Sequence, residues 1–238
     1  MTSPANAITP ALFQLAGPIT FIANNVTKAK ILVDTSIMAP ATNATAYQPS
    51  YYGGCSVLDI TASTTGATMP TYVYLGTVGT VQDTTNTGVM ATTNTTNSTV
   101  TRSTGSFITD GFRIGDNIML FVPLTGTPDL AVDGLLSTVT NVSANTLTLN
   151  GVTVGSNTSL ATGTRVVRVK THFVANVQAN SGANVTTVST GMLNNPNDGG
   201  ILRSEIKLGP NNMLMIAPTV NVAALPIYMS VSAQVALY

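Results

Sequence analysis

Charge is scarce in this chain. Asp, Glu, Lys and Arg make up 8% of its 238 residues, against about 25% in ordinary globular proteins. Nine basic residues balance nine acidic ones, so the net charge is zero. Such a chain has little long-range field to steer it toward nucleic acid or an anionic membrane. It also lacks the self-repulsion that keeps concentrated proteins apart, which suits life inside an assembly. Trp is absent, and there is one Cys and one His. With Cys55 alone, no intramolecular disulfide can form. With Cys55 and His172 as the only thiol and imidazole, the usual Cys/His zinc sites are excluded within a single chain. A nucleophilic Cys55 needs an activating base, and only His172 is available. Its ordinary role is that of a small buried apolar residue.

Long apolar runs are also lacking. No stretch approaches the ~20 apolar residues of a membrane helix. The opening "MTSPANAITPALFQLAGPITFIANN" has neither a basic segment nor an uninterrupted apolar one, so no signal peptide is expected. The strong enzyme motifs are missing too: G-x-x-x-x-G-K-[ST], H-E-x-x-H, paired C-x-x-C, and G-x-S-x-G at a strand-to-helix elbow. A pair of carboxylates can hydrolyse glycosides, but the nine acids are scattered and mostly adjoin Gly or Asn, as turn residues do. No catalytic residue and no cofactor is expected.

What is present is Thr, Asn, Ser, Ala, Val and Gly. Thr and Val favour strands, while Asn and Ser favour turns. A surface of hydroxyls and amides can be covered by a neighbour without desolvating many charges. Period-two alternation is frequent, so strands are expected. The clearest case is "IYMSVSAQVALY", with Ile227, Met229, Val231, Ala233, Val235 and Leu237 on one face. "MLMIA" (213–217) reads as a short buried strand. "ILRSEIKL" (201–208) sets Leu202, Ile206 and Leu208 against Arg203, Glu205 and Lys207. With strands at 18–23, 29–36, 55–62, 71–78 and 171–179, roughly eight result, the number of a two-sheet jelly roll.

Between residues 78 and 170 the character changes. "QDTTNTGVMATTNTTNSTVTRSTGS" is polar and nearly low in complexity, an exposed loop or a pair of weak edge strands. In "GFRIGDNIMLFV", Phe112, Ile114, Ile118, Leu120 and Val122 are expected on one face, with Arg113 turned outward. Asp110 and Asp116 are expected to bond nearby backbone N–H groups. "GLLSTVTNVSANTLTLNG" reads as a hairpin turning at 143–145, with Leu147 and Leu149 facing a core, and "TRVVRV" (164–169) closes the unit. The expected fold is all-β: a jelly-roll-like antiparallel sandwich from 1–79 and 169–238, with a small SH3-like barrel inserted at 80–168.

Few stretches offer a binding surface. "YQPSYYGG" groups Tyr47, Tyr51 and Tyr52, which suit a subunit contact, loop packing or a sugar platform. Arg168, Lys170 and His172 alternate along one strand and are expected on one side. They form either a stripe for DNA or an acidic neighbour, or a solvated face that discourages edge pairing. "NNPNDGG" (194–200) and Asp129 with Asp133 read as ordinary turns rather than calcium loops.

Two stretches resemble known proteins. "GSFITDGFRIGDNIML…LLSTVTNVSANTLTLNG" resembles a small β-barrel module of tailed-bacteriophage virion proteins, through Gly111-Phe112, Gly115-Asp116, Val139-Thr140 and residues 146–149. "GGCSVLDITASTTGATMPTYVYL" and "LGPNNMLMIAPTVNVAALPIYMSVSAQVALY" are similar to β-sandwich phage head or virion proteins. The resemblance touches about half the chain and carries no catalytic residues. It implies a structural protein of the virion, assembled in the bacterial cytoplasm. The expectation is a capsid decoration or cement protein, a homo-oligomer such as a trimer, contacting the major capsid protein. The rivals are a tail or neck component (tube, collar or fibre attachment) and a carbohydrate-binding module.

Overall fold

A computed structural model of the chain describes residues 12–21, 28–35, 54–64, 69–83, 87–93, 98–121, 134–150, 159–177, 206–218 and 229–237. Tyr47, Tyr51 and Tyr52, the turn at 194–200, Asp129 and Asp133, Val122, and Leu202, Arg203 and Glu205 lie outside the described residues.

Every described element is a β-strand: β1 (Leu12–Phe21), β2 (Lys30–Asp34), β3 (Cys55–Thr64), β4 (Met69–Val81), β5 (Met90–Thr93), β6 (Thr99–Arg102), β7 (Asn117–Phe121), β8 (Ser137–Val142), β9 (Thr146–Asn150), β10 (Arg165–Val177), β11 (Ile206–Leu208), β12 (Asn212–Pro218) and β13 (Met229–Leu237). All strand pairs are antiparallel. One sheet has the order β1-β13-β3-β11, and the other runs β2-β12-β4-β10-β7-β8-β9-β6-β5.

Eight of these strands make a jelly roll. Their pairings nest: β1 with β13, β2 with β12, β3 with β11 and β4 with β10. The chain is thus one long hairpin rolled into two facing sheets, the eight-strand solution to the problem of exposed edges. Leu32, Val57, Ile60, Val73, Leu214, Ile216, Ala233 and Val235 come from both sheets and share one buried core. The alternation in β13 supplies Ala233 and Val235 to it, as the sequence pattern requires. Burying an aliphatic side chain of this size contributes about 1.5–3 kcal/mol.

The barrel strands lie between β4 and β10, at the tip of the rolled hairpin. Met90 of β5 and Val166 of β10 stand at opposite ends of the run β10-β7-β8-β9-β6-β5, yet both belong to one core with Phe107, Ile118, Leu147 and Leu149. The sheet therefore curls onto itself. The side chain of Gln82 bridges the gap between its ends. Gln82 is 4% exposed. Its Oε1 accepts the Met90 N–H at 2.7 Å, and its Nε2 donates to the Gly88 carbonyl at 2.6 Å. Its backbone pairs with Gly163 and Thr164, and the Leu160 N–H donates to the Met90 carbonyl at 2.7 Å. The polar stretch before residue 105 contains the β5–β6 pair at the sheet edge, the second of the two forms expected.

Three expectations are corrected. The segments 164–169 and 171–179 are not separate strands, because β10 runs through both. β4 runs through the other expected boundary in the same way, so residues 79–80 and 168–169 lie inside strands. Ile114 does not share the buried face of Phe112, Ile118 and Leu120. It is 68% exposed, because residues 113–116 form a turn in which Asp116 Oδ2 accepts the Arg113 N–H at 2.8 Å; β7 begins only at Asn117. Asp110 is not a cap for a nearby N–H: its carboxylate pairs with the Arg102 guanidinium.

A second ion pair joins Arg165 of β10 to Asp34 at the end of β2. Both side chains are buried, at 3% and 1% exposure. It ties one edge strand of the large sheet to the strand that leads out of the barrel.

Candidate functional site

The loop 105–116 caps the barrel through an alternating stack. The Phe107 and Phe112 rings meet edge to face, with centroids 5.6 Å apart. The Arg102 guanidinium lies 5.0 Å from the Phe107 centroid, and that of Arg168 lies 5.6 Å from the Phe112 centroid. Cations on aromatic faces are attracted by the ring quadrupole. Arg168 Nη1 also donates to the Gly111 carbonyl at 3.0 Å. Gly111 and Gly115 have φ of +83° and +92°, a region glycine enters without steric cost. The Asp-Gly and Gly-Asp steps are therefore turns of the cap.

Below this cap the jelly roll and the barrel leave an open cleft of about 480 Å³. Three neighbouring strands form its floor, where Asn212, Thr77 and Arg168 lie side by side across β12, β4 and β10. Thr77 Oγ1 donates to Asn212 Oδ1 at 3.1 Å. Leu75 and Lys170 form the next row, also in register. Lys207 and Leu208 of β11 stand at one wall, and Asp116 of the cap is also part of the lining. Among the described lining residues, three are basic and one is acidic. The volume falls within the ~300–1,000 Å³ of ordinary ligand sites.

The expected contact residues divide as follows. Arg168 and Lys170 share a side, as alternation requires, and both line the cleft. Arg168 is not a freely solvated charge: it is half-buried and spent partly on Gly111 and Phe112, and its Nε is buried with no hydrogen-bond partner among the described residues. His172 does not extend the row. The β10–β4 register passes from Thr171 to Phe173, so His172 sits in a bulge that interrupts the alternation. Arg113 is exposed on the cap. The sequence reading missed Asp116, Lys207 and Asn212 as partners of this site. No linear spacing brings them together; only the nested pairing does.

Burial pushes the Cys55 thiol up to about 12, the opposite of activation. Among the described residues no three His, Cys, Asp or Glu side chains are grouped to hold a metal ion. No family model, curated protein or solved structure matches the chain.

Proposed function

We propose that this chain is a non-enzymatic structural protein of a bacteriophage virion, in the first place a capsid decoration protein that stabilises the head through broad β-surface contacts. The observation that carries the reading is the nested pairing of eight strands into two sheets, an architecture used by viral capsid domains. Low charge and a hydroxyl- and amide-rich composition support it, because such surfaces can be covered at small desolvation cost. Many weak contacts of this sort add up when copies are held on a lattice.

Cryo-electron microscopy of particles carrying the chain tests this directly. Density for the jelly roll and its barrel on the head lattice is expected. Density confined below the portal would replace decoration with a tail or neck role. A chain absent from particles that binds sugars on a glycan array would defeat the structural reading in favour of a carbohydrate-binding module, since jelly rolls also serve as lectins.

A further inference from the structure

The edge strands are β1 and β11 in the smaller sheet, β2 and β5 in the larger. A sheet edge presents unpaired backbone N–H and C=O groups, and proteins blunt such edges by keeping them short, charged or covered. β11 has three residues, with the exposed Lys207 in the middle. β2 has five and carries Lys30 and Asp34 at its ends. β5 has four, and the Met90 N–H and carbonyl are taken by Gln82 and Leu160. β1 departs from this pattern. It runs for ten residues, LFQLAGPITF, without a charged one. β13 pairs along one side of it, and among the described residues no strand pairs along the other. Its register with β13 shifts once, between Ala16 and Ile19, around Gly17 and Pro18. Residues 12–16 therefore form a regular, uncharged run with an open side.

From this edge we infer that two copies of the chain associate through β1: residues 12–16 pair antiparallel across a two-fold axis at Gln14 and join the two four-stranded sheets into one. The edge itself sets the chemistry of its partner. A row of backbone donors and acceptors is matched by another extended backbone. A second β1 suits it because a two-fold axis sets the same strand against itself. Like charges facing each other would oppose such a pair, and β1 has none. Zero net charge removes the wider repulsion between copies. Centring on Gln14 sets Leu12 against Ala16 and Phe13 against Leu15, so every residue of the run has a partner. Pro18, which has no N–H to donate, stays outside. Backbone groups aim to one side at every second residue, and in this register partners are always an even number of positions apart. Outward groups therefore meet outward groups, and about four to six hydrogen bonds form. The inference goes beyond the virion reading and does not depend on it.

Sedimentation velocity of the full chain is expected to show a reversible monomer–dimer equilibrium. A folded chain still monomeric at ~1 mM, or a trimer, would overturn the inference. Gln14→Lys and Gln14→Glu should each dimerise about two- to fivefold more weakly, because like charges then meet on the axis. An equimolar mixture of the two should recover dimerisation, with mixed dimers dominant in native mass spectrometry. Variants that dimerise like the wild type, or a mixture with no preference for mixed dimers, would refute the pairing at Gln14. Gln14→Cys gives a direct reading. The β-carbons of directly opposed residues lie ~4.5–5.5 Å apart, so mild oxidation should link two copies by a disulfide. Cys55 is buried and should not react. Thr93→Cys, exposed on the β5 edge, should stay unlinked. Equal linking by Thr93→Cys and Gln14→Cys, or a dimer in which Gln14→Cys does not link, would also overturn the assignment. Thermal unfolding of each variant checks that the fold is retained. Hydrogen exchange covers the remaining case: full protection of the β1 amides in a monomer would show that another segment of the same chain occupies the edge, and the inference would fall.

Discussion

Gln82 offers the sharpest check on how the barrel is closed. Replacing it with Ala removes the acceptor of the Met90 N–H and the donor to the Gly88 carbonyl. Met90 is fully buried, so its amide has no route to water. A buried donor left unpaired costs about 1–3 kcal/mol. Gly88 is only half-buried, and water can replace part of that bond, so its loss adds little. The total comes to about 1–3 kcal/mol, and at ~2–4 °C per kcal/mol for a chain of this size the melting temperature should drop by roughly 2–12 °C. Urea denaturation measures the first quantity, and hydrogen exchange at the Met90 and Leu160 amides locates it. Gln82→Glu keeps an acceptor for Met90 but sets a carboxylate against the Gly88 carbonyl, so at neutral pH it should rescue Met90 protection only in part. If Gln82→Ala costs less than ~0.5 kcal/mol, the scale of an ordinary surface change, and Met90 protection is unchanged, the clasp does not close the barrel.

Three further outcomes follow from the packing. Asp34→Ala removes the carboxylate that faces the buried Arg165 guanidinium and should cost about 3–5 kcal/mol in urea denaturation; a loss under 1 kcal/mol would mean that water reaches the pair. A Cβ on Gly79 would come within 2.4 Å of the Phe112 ring, so Gly79→Ala should cost about 1–3 kcal/mol and disturb the near-ultraviolet aromatic signal; an unchanged melting curve would show that the ring moves aside freely. Burial raises the Cys55 thiol from 9.0 to about 12, and burial, with Tyr72 beside it, raises the Tyr74 hydroxyl from 10.0 to about 12. Above pH 9 the unfolded chain releases protons that the native chain keeps, so stability should fall as pH rises from 9 toward 12. A urea midpoint that stays flat across that range contradicts the burial of these groups.

The sandwich strands were legible wherever alternation was unbroken. Val231, Ala233 and Val235 announce β13, and the β8–β9 hairpin follows from Val139, Leu147 and Leu149 around a Ser-Ala-Asn turn. The full length of β4 and β10 was not legible. Gly76 and Gly79 dilute the first, and the register shifts at Val166/Val167 and Thr171/Phe173 put two consecutive parts of β10 out of phase. A slip of one residue reverses every side chain that follows, which is why His172 was placed with Arg168 and Lys170. Ile114 failed for a different reason: apolar residues flanking a tight turn imitate a strand. In the cleft, Arg168 and Lys170 were legible from local spacing. Lys207 and Asp116 were not, because their approach depends on the rolled hairpin and on the cap.

The shared strands β4 and β10 have a mechanical consequence. Jelly roll and barrel are not beads on a string: one hydrogen-bonded ladder runs from Met69–Val177 at the sandwich end to Val81–Arg165 at the barrel end. A force that drew the barrel outward along these strands would move β4 and β10 together, so it would shear the β12–β4 ladder, from Asn212–Thr77 to Pro218–Thr71, loading its rungs together instead of peeling them one after another. Whatever grips the barrel thus pulls directly on the middle of the large sheet, and the two bodies behave as a lever and its mount with no hinge between them.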